Sequence, residues 1–194
     1  MYFGVMLVAT VLNVWVQPQP SLVRVLLQTE AGEIEVEVDV AAAPVTSANF
    51  LKYVDAGLFD GGVFHRTVRP DNQREKAVKI DVIQARANRA RQSEFPAAIP
   101  LERTNLTKLA HKDGTISMAR AEPDTGRSEF FICIGDQPTL DFGGARNPDG
   151  QGFAAFGRVI RGMDVVRKIQ MSSAQGETLT PPVAITSARR IHSR

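Results

Sequence analysis

The residues that could carry chemistry in this chain lie in two separated segments. The first is Phe64-His65-Arg66, and the second is Ile116–Ile134, ISMARAEPDTGRSEFFICI, which contains paired phenylalanines near its end. An arginine stays protonated and presents rigid hydrogen-bond donors, while aromatic rings supply apolar surface. Side chains of these types act by positioning and by charge, so no covalent intermediate is required. Neither segment is a nucleotide, metal or hydrolase signature.

Other kinds of reactive site are missing from the sequence. It has no Gly-x-Ser-x-Gly, no His-Glu-x-x-His and no phosphate-cradling glycine loop. Its one cysteine, Cys133, excludes an internal disulfide and a cysteine-based zinc site, and its apolar neighbours predict a buried, inert thiol. The glycine-rich stretch 141–152 has acidic and amide side chains whose spacing does not fit a calcium loop. We therefore predict no metal and no cofactor.

Size and charge set further limits. At 194 residues the chain is predicted to form one folded domain that buries a core without disulfides. The net charge of +2 gives no global reason for binding nucleic acid or a membrane. Basic residues predominate between positions 66 and 91, either as ordinary solvated loops or as a basic rim that attracts acidic clients. Nucleic-acid binding would rest on Arg86, Arg89 and Arg91, which lack interleaved aromatic residues, so no such partner is predicted.

The first twenty residues differ from the rest of the chain in composition. Gly4–Val16 is almost entirely apolar and stops at Gln17-Pro18-Gln19-Pro20, as the hydrophobic stretch of a signal peptide would. A basic leading region and a small-x-small cleavage site are missing, and a first core strand is the alternative. The stretch is too short to span a bilayer comfortably, so stable membrane insertion is not predicted. Residues 1–20 are thus a candidate signal peptide or N-terminal apolar segment, which favours a periplasmic or secreted protein over a cytoplasmic one.

The remaining pattern is mainly β. Strict alternation at 33–40 indicates a strand with one dry face and one wet face, after a hairpin turn at 29–32. Pro44 at a first turn and Gly57 at an end favour a helix between them. The many short strands and only two helices point to a closed antiparallel barrel. The predicted helices are Pro44–Ala56 and Met163–Ile169; the predicted strands are Val23–Gln28, Ile34–Val40, Val63–Val68, Ile80–Gln84, Gly114–Ala119, Phe130–Ile134, Phe153–Ile160 and Val183–Ile191.

Taken in order, these segments resemble the cyclophilins, the β-barrel peptidyl-prolyl cis/trans isomerases. The resemblance covers Val23 to Ile191 and implies a cyclophilin-like domain over residues 21–194. It implies a closed antiparallel eight-stranded β-barrel capped by two helices. It also implies an isomerase that accelerates rotation of X-Pro bonds in protein folding, acting as a monomer on proline-containing peptides or unfolded protein clients. By the same resemblance, Arg66 is the main catalytic group and Gln84 supports it.

The resemblance also assigns the substrate-binding residues. Phe131 matches the aromatic floor of the proline pocket, Leu140 its leucine wall, and Ala119 a small residue that the substrate backbone passes. An apolar socket suits a prolyl ring, and a fixed cation suits the prolyl nitrogen, which regains a lone pair when the amide twists. The full set of expected substrate-binding residues is Val82, Ala119, Arg120, Glu129, Phe131, Leu140 and Phe153.

Several positions depart from the family pattern and keep a second function open. Asp81-Val82 replaces a phenylalanine-methionine pair, Arg120 an asparagine, Glu129 a glutamine and Thr139 a tryptophan, and Phe153 stands where a histidine faces the pocket. The connection at 69–79 is longer than the usual form. Asp81 and Glu129 could either orient Arg66 or neutralise it. The alternative is therefore a weakly active or inactive module that binds proline-containing segments. His65 is expected to face the core or a hydrogen-bond partner as a structural residue and to point away from Arg66, because neighbours on a strand alternate.

Overall fold

The structure, a computed structural model, describes residues 21–191. The candidate signal peptide at 1–20 lies outside the described residues, so the prediction made for it stays a prediction. The described chain contains nine strands: β1 Leu22–Thr29, β2 Gly32–Asp39, β3 Gly62–Val68, β4 Val82–Arg86, β5 Thr115–Met118, β6 Glu129–Cys133, β7 Ala154–Arg161, β8 Ala174–Gln175 and β9 Thr178–Ile191. The helices are α1 Pro44–Asp55, α2 Thr104–Thr107 and α3 Met163–Gln170, with 3-10 turns at Arg89–Glu94 and Pro138–Leu140.

Eight of the strands form a closed antiparallel barrel. Their order is β1-β2-β7-β5-β6-β4-β3-β9, and β9 pairs back onto β1 to close it. The two-residue β8 pairs only with β9, outside the closed ring. The expected eight-stranded barrel is therefore confirmed. The last strand begins earlier than predicted, at Thr178, and contains Pro181 and Pro182, which lack the backbone N–H that a strand residue normally donates.

The barrel interior is apolar and rich in aromatic rings. Phe130 on β6 stands at its centre, with ring centroids 5.5 Å from Phe50, 5.4 Å from Phe59 and 6.0 Å from Phe64, all in edge-on geometry. Rings in this arrangement attract one another beyond the area that they bury. Phe50 comes from α1, which packs against β2, β7 and β9, whereas α3 packs against β2, β3 and β4. The two expected capping helices are thus present, and α2 is a single extra turn.

A β-bulge in β3 decides where the arginine points. Phe64 pairs with Ala85 and Arg66 with Gln84, so His65 is an extra residue without a partner in the register. An extra residue reverses the alternation of side chains along a strand. Phe64 therefore lies in the core, and Arg66 lies outside the barrel. The expectation that His65 points away from Arg66 was wrong, because His65 Nε2 lies 3.7 Å from the outward-facing Glu129 carboxylate.

Two further observations complete the described fold. Cys133 is fully buried on β6, and burial raises the pKa of its thiol far above the usual range, as expected for an inert cysteine. Within residues 21–191, no helix has the length and apolar character needed to cross a membrane.

Candidate active site

The site is built on one row of side chains that crosses neighbouring strands of the barrel. Arg66 on β3 lies opposite Gln84 on β4, and Gln84 lies opposite Phe131 on β6. Phe131 in turn lies opposite Ser117 on β5. Because paired residues of an antiparallel sheet project on the same face, the guanidinium, the amide and the ring stand side by side. The bulge at His65 brings Arg66 into this row.

The row opens into a cavity of about 340 Å³ on the outer face of the barrel. Eight of the nine side chains predicted for the site line it: Arg66, Val82, Gln84, Ala119, Arg120, Phe131, Leu140 and Phe153. Glu129, the ninth, lies instead in a groove that adjoins the cavity and shares Gln84, Ala119 and Arg120 with it. Lys76, Ile80, Arg146, Asn147 and Pro148 complete the lining, and none of these was predicted.

One side of the cavity is an apolar socket. Phe131 forms its floor, and the ring of Phe153 stands against it edge-on, with centroids 5.3 Å apart at 88°. Val82 and Leu140 belong to the same cluster of buried apolar side chains, which is separate from the barrel core. A small apolar ring such as that of proline would lose water-exposed surface in this socket. The geometry thus fits the roles that the sequence suggested for these four residues.

Arg66 is held from two sides and keeps donors free. Its Nη1 donates to Gln84 Oε1 at 2.9 Å, and its Nε donates to Glu177 Oε2 at 2.8 Å. Its Nη2 donates to the same Glu177 oxygen. A guanidinium carries five N–H groups, so two remain for a bound molecule. About a third of the side chain is exposed, which leaves the remaining donors within reach of the cavity.

Gln84 is oriented by a second partner. Its Nε2 donates to Glu129 Oε2 at 2.7 Å, which leaves Oε1 as the acceptor for Arg66. The Glu129 carboxylate also faces His65 Nε2 at 3.7 Å. Burial lowers the pKa of His65, and Glu129 only partly opposes that effect. Glu129 therefore acts on Arg66 through Gln84, as an orienting group one step removed.

Asp81 does not take part in this network. Its carboxylate accepts a hydrogen bond from Gln170 Nε2 at the end of α3, and burial raises its pKa. The expectation that it orients or neutralises Arg66 has no support, because Arg66 is bonded to Gln84 and Glu177 instead. Thr139, another departure, is in a 3-10 turn and does not line the cavity.

Arg120 is a wall residue most of whose donors are already used. Its Nη1 and Nη2 bind the Asp149 carboxylate at 2.8 and 3.0 Å, and its Nε donates to the carbonyl of Gly152 at 2.8 Å. Its guanidinium lies 5.2 Å from the centre of the Phe153 ring. Only 2% of the side chain is exposed. Arg120 thus fixes the 141–152 loop and Phe153 in place, and offers a bound molecule packing surface more than donors.

A buried hydrogen-bond chain supports the floor of the socket. His111 is stacked beneath Phe131 with centroids 5.9 Å apart at 14°. Its Nδ1 lies 2.7 Å from Asp141 Oδ1, and its Nε2 lies 2.9 Å from Ser117 Oγ. These residue types form catalytic triads elsewhere, but Ser117 is completely buried here and cannot reach a substrate. The chain fixes the Phe131 ring, and no sequence pattern indicated it.

Two long connections meet at the other side of the cavity. Arg146, in the 141–152 loop, donates from Nη1 to Gln73 Oε1 at 2.9 Å and to the Val78 carbonyl at 2.6 Å, both in the 69–79 loop. The 141–152 loop ends at Gly152, which has φ +65. A Cβ there would lie 2.6 Å from the carbonyl carbon of Asp141, so only glycine fits.

Glu177 is the residue of the site that sequence reasoning missed. It lies in the turn between β8 and β9, 111 positions from Arg66, and carries no motif of its own. Only the pairing of β9 with β3 brings the two together. The sequence instead suggests Asp81 and Glu129 as carboxylate partners of Arg66, because they are closer in sequence to the other site residues.

We expect Glu177→Ala to lower kcat/KM for X-Pro isomerisation about tenfold, because the loss of a charge-assisted hydrogen bond frees Arg66 to leave its position. Glu177→Gln keeps an acceptor and should lose less. The measurement is a protease-coupled assay on a capped X-Pro peptide. Glu75→Ala, an exposed carboxylate in the neighbouring loop, is the matched control and should leave the rate within twofold. A faster Glu177→Ala enzyme would mean that the carboxylate weakens Arg66 instead of positioning it.

Comparison with known proteins gives the family. A model of the cyclophilin type peptidyl-prolyl cis-trans isomerase family matches residues 24–190, nearly the whole described chain. This protein is a cyclophilin-type peptidyl-prolyl cis-trans isomerase. The match spans every strand of the cyclophilin barrel except the outer ends of β1 and β9.

Curated bacterial proteins agree with this cyclophilin assignment. Peptidyl-prolyl cis-trans isomerase A of Dickeya dadantii is 35% identical over 176 residues, which cover 87% of this chain and 84% of that protein. Peptidyl-prolyl cis-trans isomerase cyp18 of Streptomyces antibioticus is 33% identical over 169 residues, covering 84% of this chain and 95% of that one.

Solved structures agree with the cyclophilin fold. A crystal structure of a Cryptosporidium parvum cyclophilin type peptidyl-prolyl cis-trans isomerase superposes with a TM-score of 0.71 at 18% identity, covering 89% of this chain and 99% of that one. A second structure of that protein, in the presence of the dipeptide Ala-Pro, superposes with a TM-score of 0.69 at 20% identity.

Proposed function

We propose that Arg66 accelerates X-Pro rotation by donating a hydrogen bond to the prolyl nitrogen. The observation that carries this proposal is that Arg66 keeps two N–H groups free in a cavity that also contains an apolar socket. Gln84 and Glu177 take the other three N–H groups and hold the guanidinium in one orientation. A donor that is fixed before the substrate arrives needs no reorganisation during the reaction.

The physical reason lies in the amide bond. Resonance keeps the X-Pro bond planar and makes its isomerisation a matter of tens to hundreds of seconds. In the twisted transition state the prolyl nitrogen is no longer conjugated and accepts a hydrogen bond, whereas in the planar ground state it does not. The Arg66 donor therefore stabilises the transition state selectively, which is the condition for catalysis. Shortening the event about a thousandfold requires roughly 4 kcal/mol, within the range of one desolvated, charge-assisted hydrogen bond plus socket strain.

The socket supplies the rest of the selectivity. A prolyl ring against Phe131, with Val82, Leu140 and Phe153 around it, is anchored on one side of the bond that rotates. The peptide on the other side would lie along the adjoining groove, past Ala119 and toward Glu129. One half of the substrate is thus held while the other half turns.

A second function, binding of proline-containing segments with little turnover, is favoured by one observation. Arg66 shares its charge with Glu177, and a neutralised guanidinium pulls less on the prolyl nitrogen. The same socket would then bind proline without accelerating its isomerisation. We keep this as the alternative and prefer the enzyme, because Arg66 retains two unbonded N–H groups and lines the cavity.

The deciding experiment measures turnover and binding on the same peptide. We expect kcat/KM above about 10⁴ M⁻¹s⁻¹ in a protease-coupled assay on a capped X-Pro peptide. Binding of that peptide is followed in parallel by fluorescence anisotropy. Binding without any acceleration over the uncatalysed rate would establish the binding module instead.

We further propose that the clients are unfolded proteins that expose X-Pro bonds, and that the protein meets them as a monomer. The choice of clients is supported by the cavity and its adjoining groove, which share Gln84, Ala119 and Arg120, so an extended chain could lie across both. The periplasmic or secreted location rests on residues 1–20 and remains a prediction.

A further inference from the structure

We propose that this isomerase prefers proline segments carrying an acidic side chain within two residues of the proline, and that Lys76 and Arg146 recognise it. The inference rests on the proposed function and adds a substrate class to it. The two residues, called here the cationic wall, line the same cavity as Arg66 and the proline socket. They come from the 69–79 and 141–152 loops, whose contact was described above.

Arg146 has donors to spare. Both of its hydrogen bonds leave from Nη1, to Gln73 Oε1 and to the Val78 carbonyl. Its Nε and Nη2 have no acceptor among residues 21–191. The docked loops hold the guanidinium half-buried, so an incoming acceptor meets a fixed fork instead of a mobile side chain.

The charges around the cavity are unbalanced. Four cationic side chains line it, namely Arg66, Lys76, Arg120 and Arg146, and its lining includes no carboxylate. Arg66 is paired with Glu177 and Arg120 with Asp149, both from outside the lining. Among the described residues, neither Arg146 nor Lys76 has a carboxylate within ion-pair distance.

The pKa of Arg146 is consistent with this excess of positive charge around the cavity. Burial lowers its pKa, and the nearby Arg66 charge adds to that effect, while Glu177 opposes both. One carboxylate, already bonded twice to Arg66, thus serves two guanidinium groups. A glutamate or aspartate on the substrate would supply the missing negative charge and accept from the two unused nitrogens of Arg146.

Lys76 is exposed and can attract the carboxylate of a substrate before that carboxylate reaches Arg146. Its ammonium is flexible and strongly hydrated, so it attracts a carboxylate at a distance, whereas Arg146 binds it in one geometry. Because both charges sit beside the socket, the acidic residue must lie close to proline in the sequence. Acidic residues farther from the proline would not contact Lys76 or Arg146 and would not affect binding.

The test uses binding, which does not require turnover. Acetylated and amidated peptides place glutamate or glutamine before proline, or at either of the two positions after it. Dissociation constants are measured by fluorescence anisotropy at about 50 mM salt. At one position or more, the glutamate peptide should bind about tenfold tighter than its glutamine twin, and raising the salt should shrink that ratio.

Variants assign the preference to the cationic wall. Arg146→Gln and Lys76→Gln should each reduce the glutamate-to-glutamine ratio severalfold, and Arg146→Lys, which keeps the charge but loses the two-nitrogen fork, should reduce it by less than Arg146→Gln does. Lys79→Gln is the matched control, because Lys79 is exposed in the same loop and lies outside the cavity lining. Its ratio should equal that of the unmodified protein.

Two results would overturn the inference: a ratio within twofold at all three positions, or a ratio that Arg146→Gln and Lys76→Gln leave unchanged. Failure of the proposed catalysis is a separate outcome. A protein that prefers glutamate peptides but does not accelerate isomerisation refutes the isomerase mechanism alone, and an active isomerase without charge preference refutes the cationic wall alone.

Discussion

Arg66→Ala should lower kcat/KM for X-Pro isomerisation by about 10²–10³-fold, the effect of removing one preorganised donor from a transition state. The variant loses the guanidinium that Gln84 and Glu177 hold in the row leading to Phe131, together with its two unbonded N–H groups. Its hydrogen-bonded partners, Gln84 and Glu177, are partly exposed and can turn to water. The free energy of unfolding should therefore change by no more than about 1 kcal/mol.

The measurement is the protease-coupled assay, with circular dichroism to establish that the fold is intact. Arg161→Ala is the matched control, because Arg161 on β7 is largely exposed and pairs with carboxylates of β2, away from the cavity. It should retain activity within twofold. If Arg66→Ala kept half or more of the activity, the hydrogen bond to the prolyl nitrogen would not be the source of catalysis.

Phe130→Ala should lower the free energy of unfolding by about 3–5 kcal/mol, the typical result of emptying an aromatic site in a packed core. Phe130 is completely buried and contacts three other rings edge-on, so the barrel cannot close over the space. Urea denaturation followed by fluorescence or circular dichroism measures the loss.

The control for Phe130→Ala is Phe142→Ala, whose ring is 42% exposed in the 141–152 loop. A surface change of that kind should stay within about 0.5 kcal/mol. Equal losses for the two variants would show that the ring cluster is not the centre of the core. The adjacent Phe131 belongs to the socket cluster instead. The two phenylalanines of the pair therefore pack on opposite faces of the sheet, Phe130 in the barrel core and Phe131 in the socket.

Much of this arrangement could be predicted from the chain because it depends on local patterns. Alternation of apolar residues located Ile34, Val36 and Val38 in the core, and all three are completely buried. The order of short strands predicted a closed barrel, which the pairing of β1 with β9 confirms. Resemblance identified eight of the residues that line the cavity, and the register of the paired strands brings three of them, Arg66, Gln84 and Phe131, together.

The rest depends on contacts that no local pattern encodes. Glu177 reaches Arg66 through a hairpin far along the chain, and His111 reaches Phe131 through a buried stack. The wet face of β2 is another case, because Glu35 and Glu37 are almost buried beneath arginines of neighbouring strands. Side chains of one strand cannot indicate which charges the next strand will supply.

The function of this site depends on the number of residues in β3, because His65 is an extra residue without a partner on β4. With one residue fewer between Phe64 and Val68, every later side chain of that strand would move to the opposite face of the sheet, whatever its identity. A guanidinium would then be forced among the phenylalanines while its amide partner stood alone. Grafting this centre onto another barrel therefore demands copying an irregularity of the backbone, and transplanting the side chains alone would not reproduce it.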